Sequence, residues 1–253
     1  MPEENVMKID IYNEDGSLKS KEAFTEEMAK LYDKINEETT TSTISASPCF
    51  MELLAPDGEF DPTNVIDKYQ LLERKLYLDT EITEEVGRHF LERIQFWNSE
   101  DEFDDKPIEE RIPIQIYIDS PGGLITTTFQ IIDAIQGSKT PVITVATGTA
   151  YSGAFFILTA GHYRQAFPNA TFLFHEGSGG ALGDAHKVLQ QSKFYESLLK
   201  QIKNHVIKTT KITSSLYEKH EKDDWYFNAE KALKIGAIDK ISNDVNGGIF
   251  DEE

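Results

Sequence analysis

The 253-residue chain has one cysteine, Cys49. A single thiol excludes an internal disulfide and any zinc knuckle built from thiolates. Histidine is scarce as well, with six in all and no His-x-x-x-His or similar ligand spacing, so neither a metal nor another cofactor is expected. Cations are in deficit: 25 Lys and Arg stand against 44 Asp and Glu, a net charge of −19. Such a surface offers no favourable counter-charge to nucleic-acid phosphates or to an anionic membrane, so neither is an expected partner. The same charge also serves plain solubility. Long hydrophobic runs are missing too. The longest, Pro141–Ala146 and Ala154–Leu158, are far too short to cross a bilayer. Met1–Asp10 is acidic and lacks a basic stretch followed by an apolar one, so no secretory signal is expected and the cytoplasm is the expected compartment. No Gly-Lys-Ser/Thr loop for ATP occurs.

What is present is ordinary for a soluble globular protein: 39% hydrophobic and 27% charged residues, enough to bury a proper core. The pattern changes near residue 64, which divides an acidic N-terminal extension, 1–64, from a main domain, 65–253. Within the extension, Phe24, Met28, Leu31 and Ile35 make a helical stripe over Lys21–Glu38. Thr39–Ser47 reads as a linker, and Phe50–Leu54 as a strand before the turn Pro56-Asp57-Gly58.

From Lys75 onward strands and helices alternate, which argues for a layered α/β fold. Expected strands are Lys75–Leu78, Ile112–Ile118, Pro141–Ala146 and Thr171–Phe174. Expected helices are Thr83–Trp97 with Thr83 as N-cap, Thr126–Ile135, Lys187–Thr209, and a short one from Ala229 that reaches Gly236. Asn98–Arg111 reads as a charged surface loop, and Gly148–Gly161 as turn and helix.

Four segments carry candidate chemistry. In Gly148-Thr-Ala-Tyr-Ser152-Gly-Ala, a buried strand ends in small residues and a serine opens a helix. A hydroxyl there lies near unpaired N–H groups and the positive end of a helix dipole, where an oxyanion is stabilised. Ser152 could equally be a plain helix cap. In Asp119-Ser-Pro-Gly122-Gly123, two glycines after a strand let the backbone approach a ligand, although Pro-Gly is a turn on its own. His175 ends Thr171–Phe174 and opens the run Gly177-Ser-Gly-Gly180, a good place for a base, though a lone histidine is commonly structural. Asp224 precedes Trp225 and Tyr226, which point to a buried setting, and a buried carboxylate needs a partner such as an imidazole N–H.

Taken together, these segments resemble the Clp protease proteolytic subunit, ClpP, over about Tyr69 to Ile241. Arg74-Lys-Leu-Tyr-Leu resembles the first core strand of that family, and Tyr117-Ile-Asp-Ser-Pro-Gly-Gly its oxyanion strand. Gly148–Ala154 is similar to its nucleophile turn, Pro168–His175 to its histidine strand, and Asp224–Asp239 to its aspartate and closing helix. The resemblance implies a ClpP/crotonase-like layered fold with Lys187–Thr209 as a long handle helix. It implies a serine endopeptidase with Ser152 as nucleophile, His175 as base and Asp224 orienting the base. The N–H groups of Gly123 and Gly153 would hold the oxyanion, and Gly122, Leu124 and Ile125 would bind the polypeptide substrate as an added strand. It further implies a homo-oligomer, a heptameric ring and, if doubled, a tetradecamer, fed by a Clp-type AAA+ ATPase. Val188, Phe194, Leu198, Ile202 and Ile207 give the handle more apolar surface than an exposed helix leaves in water. Departures from the family include the extension before residue 64 and the acidic insert Asn98–Arg111. Glu176-Gly177 replaces the usual Gln-Pro after the histidine, and Asp223 stands where an arginine that helps pair rings is usual.

Other readings of the same residues are a non-catalytic ring subunit and a peptidase with a Ser-Lys pair like the signal peptide peptidases. A crotonase-type acyl-CoA enzyme would share the fold but lacks a serine framed in this way.

Overall fold

The computed structural model describes residues 70–175, 177 and 182–243. The extension 1–64 with its expected helix and strand lies outside the described residues, as do Glu176 and most of the glycine-rich run after His175.

In β1 (Lys75–Leu78), Leu76 and Leu78 turn inward and Tyr77 outward, the two-residue period of a strand with one face on the core. It pairs in parallel with β2 (Ile114–Ser120), and β2 pairs in parallel with β3 (Val142–Tyr151). The first half of β3 backs β4 (Tyr163–Ala166), and its last residues, Thr149–Tyr151, back β5 (Thr171–Phe174). Outside β4 lies β7 (Lys240–Ile241), while β6 (Trp225–Asn228) closes antiparallel on β5. The seven-stranded sheet thus runs β1-β2-β3-β4-β7, with the β5–β6 ribbon branching from the end of β3. That branch sets the ends of β3 and β5 side by side.

The helices are α1 (Glu84–Phe103), α2 (Ile125–Gly137), α3 (Gly153–Ala160), α4 (Ala185–Thr209), α5 (Ser214–His220) and α6 (Ala229–Lys234). One core joins Leu76, Leu78, Ile114, Ile116 and Ile118 of the sheet to Phe90, Ile94 and Trp97 of α1, Ile131 and Ile135 of α2, and Phe155–Leu158 of α3. Each such side chain, fully withdrawn from water, contributes about 1.5–3 kcal/mol before the entropy of ordering is set against it. Tyr117, Ile143 and Val145 form a smaller cluster with Tyr163 and Phe167. A mostly parallel sheet packed under helices makes the expected α/β fold.

The bounds expected for β1 and β5 hold, and Thr83 caps α1 by accepting from the Val86 N–H. Several expectations need correction. Asn98–Arg111 is not one loop: α1 runs on to Phe103, and a 3-10 turn spans Ile108–Glu110. The reason is Asp101, fully buried, whose carboxylate takes two bonds from the Arg74 guanidinium at 2.6 and 2.8 Å and one from the Thr140 hydroxyl at 2.7 Å. Strand β3 continues through Gly148 to Tyr151, where turn was expected, because β5 supplies a second partner for it. On α4, Leu198 and Ile202 are buried in the chain's own core, whereas Leu189 and Phe194 on its first half are exposed.

Candidate active site

Ser152 is held at the junction of β3 and α3 with φ +54° and ψ −122°. A non-glycine residue rarely adopts that conformation, which costs on the order of 1–3 kcal/mol. Its side chain makes no capping bond to the helix it opens. The plain-cap reading therefore fails, since a serine cap is extended and its hydroxyl accepts from the first turn. The turn is held by the backbone instead: the Ser152 N–H donates to Leu173 O at 2.9 Å, and the Phe155 N–H donates back to Ser152 O at 3.0 Å. The first bond ties the serine to β5, two residues before His175.

His175 and Asp224 meet at the open end of the β5–β6 ribbon. Phe174 is opposite Trp225, so one further step of the antiparallel ladder puts His175 opposite Asp224. The imidazole Nδ1 lies 3.2 Å from the Asp224 carboxylate. The ribbon is anchored from its other face by Phe174 and Phe227, packed edge-on against Phe155 of α3, and by Trp225, stacked flat on His220 at 4.1 Å between centroids. One expectation fails here. Asp224 is not buried; its side chain is 58% exposed, against 25% for His175. The buried aromatic contacts come from Trp225, while the carboxylate stands at the rim. Because residues alternate along a strand, the neighbours of Asp224 could not by themselves report its burial.

The glycine segment closes the site from the third side. Gly122 has φ +96°, and a Cβ there would lie 2.8 Å from Ser152 Cβ and 2.9 Å from Gly153 N. A Cβ on Gly123 would lie 2.4 Å from Ile82 O, so the backbone packs where a side chain has no room. Ile82 grips this segment from outside: its N–H donates to Gly122 O at 2.8 Å and its carbonyl accepts from the Leu124 N–H at 2.9 Å. Those bonds leave the Gly123 N–H pointing away from Ile82. Among the described residues it has no backbone acceptor, and neither has the Gly153 N–H at the start of α3. A Cβ on Gly153 would lie 3.6 Å from Gly123 N, so the two donors are neighbours. Leu124 is half exposed beside them, and Ile125 packs partly against the core.

The structure therefore brings Ser152, His175, Asp224, Gly122, Gly123 and Gly153 to one end of the sheet. Among the described residues, Ser152 makes no hydrogen bond to His175, a contact that in free enzymes is commonly long and tightens with substrate. Among them too, no cluster of His, Cys, Asp or Glu has metal-binding geometry, and no helix is long and apolar enough to cross a membrane. Sequence reasoning missed Ile82, which grips the glycine segment. Its only local signal is an apolar residue just before the Thr83 cap.

Comparison with known proteins gives concordant results. The profile of the family described as Clp protease matches residues 61–245. The ATP-dependent Clp protease proteolytic subunit of Chlorella vulgaris is 30% identical over 183 residues, which cover 71% of this chain and 87% of that protein.

Proposed function

This chain belongs to the Clp protease family, and on that footing we propose that it is a serine endopeptidase working through Ser152, His175 and Asp224. The observation that carries the proposal is the coupling of three elements: the Ser152 turn is bonded to the strand whose end holds His175 beside Asp224. A Ser-Lys site has no use for such an imidazole–carboxylate pair.

The geometry suits each residue to its role. With Nδ1 held by Asp224, the imidazole keeps its proton there and presents Nε2 as the base. Ser152 Oγ attacks the scissile carbonyl and passes its proton to Nε2, which returns it to the leaving amine. The Gly123 and Gly153 N–H groups, neighbours in the fold, donate to the carbonyl oxygen as it becomes negative; a Cβ on Gly153 only 3.6 Å from Gly123 N supports this. The substrate lies along Gly122, Leu124 and Ile125 as an added strand, read chiefly through its backbone. Binding must also bring Ser152 and His175 into hydrogen-bond contact, so the site gains its full geometry with substrate in place.

The peptidase domain is proposed to span 65–253 after an N-terminal extension 1–64, a division the family match over residues 61–245 supports to within a few residues. The oligomer proposed is a heptameric ring, doubled to a tetradecamer at higher salt, with a Clp-type AAA+ ATPase delivering unfolded polypeptide. Support comes from the exposed Leu189 and Phe194 on the first half of α4, and from the similarity to the ATP-dependent Clp protease proteolytic subunit of Chlorella vulgaris. Asp223 opposes stacking at low salt, because like charges face each other across such a contact. Cleavage of short fluorogenic peptides by wild type and by Ser152→Ala tests the chemistry, and native mass spectrometry tests the ring. Wild-type turnover in a folded Ser152→Ala variant overturns the first; a fully active monomer at micromolar concentration overturns the second.

A further inference from the structure

Strands β2 and β3 pair in register as far as Ile118 and Ala146, and resume at Ser120 and Ala150. Over that step β3 advances two residues more than β2, so Thr147–Thr149 bulge opposite Asp119. A bulge leaves ladder groups unpaired and re-aims the residues beyond it. Here the Asp119 carboxylate fills the gap. One of its oxygens accepts from the Thr149 N–H at 2.7 Å and from the Thr149 hydroxyl at 2.8 Å. The group lies flat on Gly148, where a Cβ would sit 2.5 Å from one oxygen and 2.8 Å from the other. The Thr147 hydroxyl closes the other side by donating to Ile118 O at 3.2 Å. An exposed acid in so acidic a chain has every reason to face water; this one is turned onto the backbone.

Both ends of this clamp lead into the site. Asp119 is followed by Ser120, whose hydroxyl donates to Thr80 O and accepts from the Gly122 N–H at 3.2 Å. Thr149 is followed by Ala150, Tyr151 and Ser152. The bulge therefore sets how far Ser152 stands from Gly122 and Gly123, whose packing leaves no slack. A carboxylate bonding a backbone N–H is a strong, charge-assisted contact, suited to holding such a distance.

We propose that Asp119 is a positioning residue: by clamping the β3 bulge it fixes the nucleophile turn against the oxyanion-binding glycines. This rests on the peptidase reading above. Loss of the clamp lets the turn shift, while the peptide-binding strand keeps its own bonds with Ile82 through Gly122 and Leu124, so it acts on kcat rather than KM. A misplacement of about 1 Å in such a site costs up to about 100-fold in rate.

The test uses the full chain with Asp119→Ala and Asp119→Asn, the second keeping an acceptor oxygen toward Thr149. Two readouts are taken: kcat and KM on a fluorogenic peptide, and amide hydrogen exchange across residues 148–152. Asp119→Ala should lower kcat by about 10- to 100-fold with KM within about threefold of wild type, and should speed exchange there. Asp119→Asn should restore both. Wild-type kcat in Asp119→Ala, equal damage in the two variants, or unchanged exchange would each overturn the proposal. Should Asp119→Ala not fold, Gly148→Ala displaces the same carboxylate and is read in the same way. If wild type cleaves no peptide, the peptidase reading falls, and exchange alone still decides the clamp.

Discussion

Replacing Arg74 by Met tests how the corrected end of α1 is held. The guanidinium is 4% exposed and donates to Asp101 at 2.6 and 2.8 Å, to Glu100 at 3.0 Å and to Ile112 O at 3.1 Å. It joins the start of β1, the last turn of α1 and the approach to β2. Methionine keeps much of the volume and the same positive φ, so the change isolates the charge. Asp101, fully buried, would keep only the Thr140 hydroxyl at 2.7 Å and Lys106, whose ammonium stands 3.9 Å away. Stranding a buried carboxylate costs about 3–5 kcal/mol. For a domain of this size that is a fall of roughly 6–20 °C in Tm. The double variant Arg74→Met/Asp101→Leu removes both charges and should recover much of the loss, since a well-packed apolar pair often matches a buried ion pair. Burial pushes the Asp101 carboxyl up, but its bonds to Arg74 and Thr140 pull it below the usual aspartate value. Its contribution is therefore full above a pH of about 3.9 and is lost as pH falls through the lower folded value. Urea unfolding at pH 7 and fixed protein concentration is the assay. A loss below about 1 kcal/mol in Arg74→Met, or a double variant no better than the single, would refute the reasoning.

Asp224→Asn should lower peptide turnover by about 100-fold or more by favouring the wrong imidazole tautomer, with the loss tempered by the exposure of the carboxylate. Asp223→Asn should cost little, and paired kinetics of the two variants decide it. His205 is buried with its ring bonded to Phe156 O and Thr159, and burial holds its pKa below the ordinary value. The unfolded chain then takes up a proton near pH 6.5 that the folded chain resists, so stability is full above about pH 6.5 and is lost as pH falls from there through the lower folded value. His205→Gln should flatten the dependence in denaturation series from pH 5 to 8. Rising salt should favour paired rings by screening Asp223, read by native mass spectrometry.

How much of the fold is legible in the sequence depends on how local each signal is. Strands β1 and β5 are visible at their true bounds because short apolar runs end at sharp turn signals. The site is visible in pieces for a similar reason: glycines frame Ser152, His175 and the Gly122-Gly123 turn within a few residues. The end of α1 is hidden because what makes Asp101 a core residue is Arg74, 27 positions away. The length of β3 is hidden because its second partner, β5, lies twenty residues on. In β6, Trp225 and Phe227 turn inward while Tyr226 and Asn228 turn outward, an alternation that three consecutive aromatics hide in the sequence. Aromatic neighbours along the chain are therefore no sign that Asp224 is buried. The pairing of β5 with β6 is what places its carboxylate on the outer face, beside His175.

Reaction with a fluorophosphonate tests most directly whether Ser152 is a nucleophile activated by its surroundings. The probe attaches to an activated serine under native conditions and leaves ordinary surface hydroxyls unmodified. Peptide mapping of the native, full-length protein should find a single adduct, on Ser152, that disappears on unfolding before treatment and in Ser152→Ala. An adduct on another residue, or none on a folded protein, would contradict the account.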